Sequence, residues 1–296
     1  MVKAYVVGNV ALDETLSVAD LPAPGASIFG ATLSHDLGGK GANQAIALAR
    51  AGIACRLIAA VGSDARAAEI AQRLAAEPLE VELVEIADVA SDFSIILMAE
   101  RGENAVITTR EAATALSPGR AVPTLGDAAR GDLLVMQGNL SGGTTAALLR
   151  EARARGMRIA VNPSPLQPYF AELWPLVDMA FVNEGEAAAL GGVEALRDAG
   201  VGQLVLTLGE AGAELIDADG CSHVPACPCR VVDTTGAGDS FMAVALASAL
   251  GRGGRLDPLA LAHGARAAAH TVAQAGTVAA FPDVAGMAEI LARREA

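Results

Sequence analysis

A chain of 296 residues, just over half of them apolar and mostly Ala, Val and Leu, has the length of one large α/β unit with an inserted lobe and is too hydrophobic to stay disordered. Its 34 acidic and 21 basic residues leave a formal charge of −13, and the Lys and Arg are scattered, which argues against a nucleic-acid footprint. Asn9 and Asp13 break the first apolar stretch too early for a signal-peptide core, and the apolar run 241–250 falls short of the ~20 residues that cross a bilayer, so a soluble cytoplasmic protein is expected.

Along the chain, short apolar runs at 4–7, 56–61, 133–137, 158–161, 179–182 and 203–206 read as strands. Between and after them, Ala- and Leu-rich stretches at 41–51, 65–74, 143–154, 236–250, 258–273 and 284–293 read as helices. Such alternation predicts a mostly parallel sheet with helices on both faces. Two stretches break the rhythm. The first, 12–37, holds the turn residues Pro22, Pro24 and Gly25, and the second, 91–110, has two β-prone runs around Arg101-Gly102-Glu103-Asn104 that predict a hairpin. Together they predict a small β lobe at the sheet edge, placed to close over a substrate and exclude water. With no repeat or linker, residues 1–296 read as a single domain with a discontinuous β-lid at about 12–37 and 91–110.

The segment Val231-Val232-Asp233-Thr234-Thr235-Gly236-Ala237-Gly238-Asp239-Ser240-Phe241 carries a β-branched run into a glycine turn and then a helix. Gly236 and Gly238 remove side-chain bulk, so backbone N–H groups at the helix start can approach an anion that the helix dipole favours. Asp239, in the first helical turn, is placed to orient a hydroxyl and accept its proton; a plain helix cap is the alternative. A second glycine turn into a helix is Asp36-Leu37-Gly38-Gly39-Lys40-Gly41-Ala42-Asn43-Gln44-Ala45. It is not a P-loop, since Gly41 follows Lys40 where Ser or Thr is required, and it lacks the dinucleotide GxGxxG spacing.

Taken together and in this order, GGKGANQA at 38–45 and DTTGAGDSF at 233–241 resemble the ribokinase, or PfkB, family of carbohydrate kinases, and the likeness runs from the first strand to the final Ala-rich helices. The resemblance implies an α/β, Rossmann-like three-layer sandwich with a mostly parallel central sheet, a small β-lid, and a substrate clasped between them. It implies ATP and Mg²⁺ as cofactors, Asp239 as the catalytic base, and Gly236, Ala237 and Gly238 as an anion hole. It places Gly38, Gly39, Lys40, Asn43, Asp13 and Asn139, with Asp239, around the sugar.

Asn183-Glu184-Gly185-Glu186 matches the family's NxxE, which assigns Asn183 and Glu186 to Mg²⁺-bound water and phosphate oxygens; helix capping explains the same spacing. Thr207-Leu208-Gly209-Glu210-Ala211-Gly212 resembles the family's TLGxxG nucleotide loop, which brings Thr207, Gly209 and Gly212, with Gly238, near ATP; a tight strand connection is the alternative. His263 resembles the adenine edge of the family site, and an ordinary packed or surface histidine fits equally. Asp233, the carbonyls around Thr235 and the late loop 274–277 resemble the family's monovalent-cation loops, where a K⁺ ion would shape the anion hole, against a reading as two packed turns.

Several hydroxyl-reading positions depart from ribokinases: Ala11 replaces an Asn, Asn139 a Glu, and Glu111-Ala112-Ala113 a Gly-Ala-Asn. Lost polar contacts shift discrimination, so the acceptor is expected to be a pentose, ketohexose or related small sugar rather than necessarily ribose. A nucleoside is the nearest alternative, and a catalytically silent sugar- or nucleotide-binding regulator is another. The lid edge offers a route to a homodimer. Cys221, Cys227 and Cys229 crowd around His223 but lack a paired CxxC, so with Cys55 they read as structural thiols, on a strand or edge over 222–232.

Overall fold

The computed structural model describes residues 2–99 and 103–294. The first half of the chain holds strands β1 (Lys3–Gly8), β2 (Ala11–Val18), β3 (Gly30–Gly38), β4 (Ala54–Val61), β5 (Glu80–Glu85), β6 (Phe93–Ala99) and β7 (Asn104–Thr108). The second half adds β8 (Leu133–Gln137), β9 (Arg158–Asn162), β10 (Met179–Asn183), β11 (Gln203–Thr207), β12 (Ala213–Asp217) and β13 (Gly220–Val224). Between them run helices α1 (Lys40–Arg50), α2 (Ala65–Leu74), α3 (Glu111–Ala115), α4 (Pro118–Ala121), α5 (Gly142–Arg155), α6 (Glu184–Ala189) and α7 (Val193–Asp198). Helices α8 (Ala237–Leu250), α9 (Pro258–Val272) and α10 (Val284–Ala292) follow the last strand.

Nine strands form the main sheet in the order β13-β12-β11-β10-β9-β8-β1-β4-β5. Neighbours from β5 to β11 are parallel, and β12 and β13 return antiparallel at one edge. Strand β1 explains why both faces must be covered. Ala4 and Val6 pack into one core with α1, α8 and α9, whereas Tyr5 and Val7 face a second core with α5. Parallel strands that are apolar on both sides force a helix layer onto each face, which gives the three-layer sandwich. The chain adds β4 and β5 on one side of β1 and then returns to β8 on the other, so the order reverses at β1, where such sheets open a crevice at the strand C-termini.

A second sheet, β3-β2-β6-β7, holds both segments expected in the lid. Strands β2 and β3 are antiparallel, β2 and β6 parallel, and β6 and β7 antiparallel with Met98 opposite Asn104. The expected turn residues Arg101 and Gly102 lie outside the described residues.

Some elements escape a reading by apolar runs. Strand β5 is Glu80-Val81-Glu82-Leu83-Val84-Glu85, an edge strand whose alternating charges hide it, and α6 and α7 are six residues each, too short to show periodicity. The strand expected over 222–232 is shorter: β13 ends at Val224, and Pro225 and Pro228 keep the following segment out of the ladder. Cys221 and Cys229 are exposed there, Cys227 is half-buried, Cys55 is buried, and none forms a disulfide. No helix among the described residues is long and apolar enough to cross a membrane.

Helix α1 starts against the end of β1. Asn9, just past β1, accepts from Ala42 N with its carbonyl (3.0 Å) and from Gly41 N with its side chain (3.3 Å), satisfying donors that a helix start leaves open. Gly41 permits this approach, because a Cβ there would lie 2.7 Å from Asn9 O and 2.9 Å from Gly8 C, both rigid backbone atoms. Gly41→Ala is therefore expected to cost ~1–3 kcal/mol in urea denaturation, the usual range for overpacking. A loss below about 0.5 kcal/mol, the scatter of neutral surface changes, would show that the helix and strand separate freely.

Candidate active site

Helix α8 begins at Gly236, whose φ of 76° lies in the left-handed region that only glycine enters cheaply. A Cβ there would also press on the Phe281 ring at 2.8 Å, whereas around Gly238 the space is open for 4 Å. The turn therefore presents a helix start beside open space: Ala237 N donates to Thr234 O at 3.3 Å, while the next N–H groups lack partners inside the helix.

Asp239, in the first turn of α8, is buried, and both of its carboxylate oxygens are held. Asn43 Nδ2 donates to Oδ2 and Gln44 Nε2 donates to Oδ1, each at 2.9 Å. Both donors stand in the first turns of α1, so the two glycine motifs, nearly 200 residues apart, meet at one carboxylate. Gln44 Oε1 in turn accepts from Gln137 Nε2 at 2.7 Å, at the end of β8. Neither glutamine was singled out in the sequence; Gln44 is inside GGKGANQA, but nothing local reveals the partner its amide finds.

In the second sheet, Asp13 of β2 is buried beside Gly38 of β3, where a Cβ would overlap Asp13 Oδ2. Gly39, with φ of 92°, then turns the chain into α1 and its first residue, Lys40. Asp13 Oδ1, Asn43 Oδ1 and Asn139 Oδ1 are buried oxygens with no hydrogen-bond partner in the protein. All three belong to residues expected around the sugar.

Lys40, Asn183, Glu186, Thr207, Gly238 and Asp239 line one cavity, which brings together residues expected at the sugar, metal, nucleotide and catalytic positions. Asn162, at the end of β9, lines it too and was missed by the sequence reading; its amide donates to Phe181 O at 2.9 Å. Asn183 and Glu186 form a complete capping box at the start of α6: Glu186 N donates to Asn183 Oδ1 at 2.8 Å, and Asn183 N to Glu186 Oε2 at 3.0 Å. Capping and a place on the cavity coexist, because the box occupies only one oxygen of Glu186. That leaves a carboxylate oxygen of the kind Mg²⁺ accepts alongside its waters.

The loop after β11 has Gly209 at φ 58° with open space around it, and Gly212 at φ 102°, where a Cβ would overlap Val224 O. Gly212 is thus required by the strand return, while Gly209 is the glycine open to a ligand. Asp233 joins the two loops expected to share a cation: Oδ1 accepts from Thr235 N at 2.9 Å and Oδ2 from Gly276 N at 3.2 Å. Its carboxylate is a tie between turns, so any cation there would rest on main-chain oxygens.

His263 is not among the residues that line this cavity. It is buried, with Nδ1 2.7 Å from Ser248 Oγ and Nε2 2.8 Å from Arg293 O. The carbonyl can only accept, so Nε2 carries the proton and Nδ1 accepts from the hydroxyl. Burial lowers the ring's pKa and keeps it neutral. With both nitrogens used inside the protein, His263 ties α8 and α9 to the chain end and offers no hydrogen bond to an adenine.

The Asp13 carboxyl is pushed up from 3.8 to about 6, first by burial and further by the charges of Asp36 and Asp239, against a hydrogen bond from Ser94. The folded state therefore holds this proton more tightly than the unfolded chain. Its contribution to stability is complete below the unfolded value and is lost as pH rises through about 6. Asp13→Asn abolishes that loss, so its stability relative to wild type should rise by roughly 3 kcal/mol between about pH 4 and pH 8. Urea denaturation across that range checks this, and a difference independent of pH would contradict it.

A family model described as pfkB family carbohydrate kinase matches residues 1–284. Ribokinase of Haemophilus influenzae is 31% identical over 252 residues, spanning 80% of this chain and 81% of that protein. Ribokinase of Bacillus subtilis is 28% identical over 290 residues, spanning 97% and 98%. Among solved structures, ribokinase from Giardia lamblia matches with a TM-score of 0.89 at 23% identity, covering 98% of each chain. Arabidopsis thaliana ribokinase, complexed with ribose and ATP, matches at 0.86 and 22% identity, covering 99% of this chain and 100% of that one. With the whole-length family match, the shared fold and two glycine motifs converging on one buried carboxylate, the chain belongs to the pfkB family of carbohydrate kinases, phosphotransferases that act on sugar hydroxyls.

Proposed function

We propose that the protein transfers the γ-phosphoryl group of ATP to a primary hydroxyl of a pentose or ketohexose, in the cytoplasm, with Asp239 as the base. The observation that carries this is the Asp239 carboxylate, fixed through both oxygens at the start of α8 and lining a cavity with Lys40 and Glu186. A hydroxyl oxygen attacks phosphorus in line as its proton passes to Asp239; the new O–P bond forms, the bond to the β-phosphate breaks, and ADP leaves. The N–H groups around Gly236, Ala237 and Gly238 face the charge that develops on the transferred group. Glu186, beside Asn183, would hold Mg²⁺, which when bound neutralises phosphate charge. Thr207 and Gly209 border the phosphates, and K⁺ would rest on carbonyls of the loops that Asp233 joins.

The unpartnered acceptors Asp13 Oδ1, Asn43 Oδ1 and Asn139 Oδ1 suit a polyol, whose hydroxyls donate. That favours a sugar over an apolar acceptor, and the neutral amide of Asn139 reads hydroxyls differently from a carboxylate. Ile28, Phe29 and Leu33 are exposed at or beside β3, and Val106 and Ile107 on β7, which supports pairing of two lids into a homodimer.

A coupled ADP-release assay over pentoses, ketohexoses and nucleosides identifies the acceptor. Turnover with nucleosides alone would overturn the sugar assignment. Asp239→Asn is expected to lower kcat by ~10²–10⁴-fold, the worth of general-base catalysis, with nucleotide affinity nearly unchanged; wild-type turnover would remove Asp239 from the chemistry. K⁺ is expected to activate beyond ionic-strength controls with Na⁺, and an identical response to both ions would reject the cation loops.

A further inference from the structure

We infer that Gln44 and Gln137 form a relay of amides that positions Asp239, with Gln137 acting only through Gln44. This rests on the reading of Asp239 as the base. Gln44 is 1% exposed and Gln137 fully buried, and the amide NH₂ of each is spent inside the protein, on Asp239 Oδ1 and on Gln44 Oε1. Their amides are directional. The carboxylate oxygen of a base accepts, so Gln44 must turn its NH₂ toward Asp239 Oδ1 and its Oε1 away. That oxygen needs a donor, which Gln137 supplies with its NH₂ at 2.7 Å.

Gln137 is held in this direction at a cost. Its own Oε1 is buried without a hydrogen-bond partner, against Gly8, where a Cβ would overlap it. A buried amide that leaves its acceptor unsatisfied while donating to a second amide gains nothing obvious in stability. It does prevent the Gln44 amide from flipping, which would aim Gln44 Oε1 at the Asp239 carboxylate. The strand end of β8 thereby sets where one oxygen of the base sits in α8, through a side chain of α1.

The test is a double-mutant cycle on kcat with the isosteric changes Gln44→Met and Gln137→Met, each checked for folding by circular dichroism and for nucleotide binding. Gln44→Met is expected to lower kcat ~10–100-fold, the worth of a hydrogen bond to a charged group, with sugar KM changed less than about threefold. Gln137→Met is expected to lower kcat by a smaller factor, and by less than about twofold when Gln44 is already Met, because its effect passes through that residue. Losses that multiply in the double variant, wild-type kcat in Gln137→Met, or a change confined to KM would each overturn the relay. If Gln137→Met does not fold, Gln137→Asn, which keeps the amide but withdraws it, takes its place in the cycle. Asp239→Asn run beside the cycle separates the two claims: an inactive Asp239→Asn with no coupling between the glutamines leaves the base standing and removes the relay, while an active one removes both.

Discussion

A carboxylate held between two helix starts is the constraint on which the site depends. Asp239 sits in the first turn of α8, and its two oxygens are held by consecutive side chains, Asn43 and Gln44, from the first turns of α1. For those bonds to form, both helices must begin at fixed points. Asn9 and Gly41 set the start of α1 against β1, while the left-handed Gly236, tight against Phe281, sets the start of α8. The glycines are therefore not general flexibility. They are places where backbone must pass closer than a side chain allows.

The cavity lies at the C-terminal ends of β9, β10 and β11, beside the starts of α1 and α8, and the second sheet holds the buried Asp13. Asp13 comes from β2 and its Ser94 partner from β6, so this buried carboxyl belongs to the second sheet, whereas Asn183 and Thr207 end β10 and β11 of the main sheet and Asp239 stands in the first turn of α8. Burial of Asp13 with an oxygen unpartnered costs stability, and that oxygen is free to accept from a donor outside the protein.

Much of this was legible in the sequence, and for physical reasons. Apolar runs such as 133–137 and 158–161 mark buried parallel strands, because both faces are covered and no alternation is needed. The glycine motifs mark the helix starts, since few other residues tolerate such turns. What stayed hidden depends on partners far apart in the chain. Gln44 and Gln137 look like any glutamines until the fold joins them to Asp239. A lone His263 in an Ala-rich helix cannot announce that Ser248 and Arg293 O will use both its nitrogens. Asn183 and Glu186 show a different limit: the same pair forms the capping box and lines the cavity, so the cap does not exclude the Mg²⁺ role that the spacing also suggests.

The most direct measurement is a crystal structure with a non-hydrolysable ATP analogue and the sugar selected by the ADP-release assay. The acceptor hydroxyl is expected within roughly 2.6–3.2 Å of an Asp239 oxygen, hydrogen-bonding distance, with the γ-phosphate at the start of α8. A hydroxyl closer to some other base, or a triphosphate bound away from Gly236, Ala237 and Gly238, would contradict it.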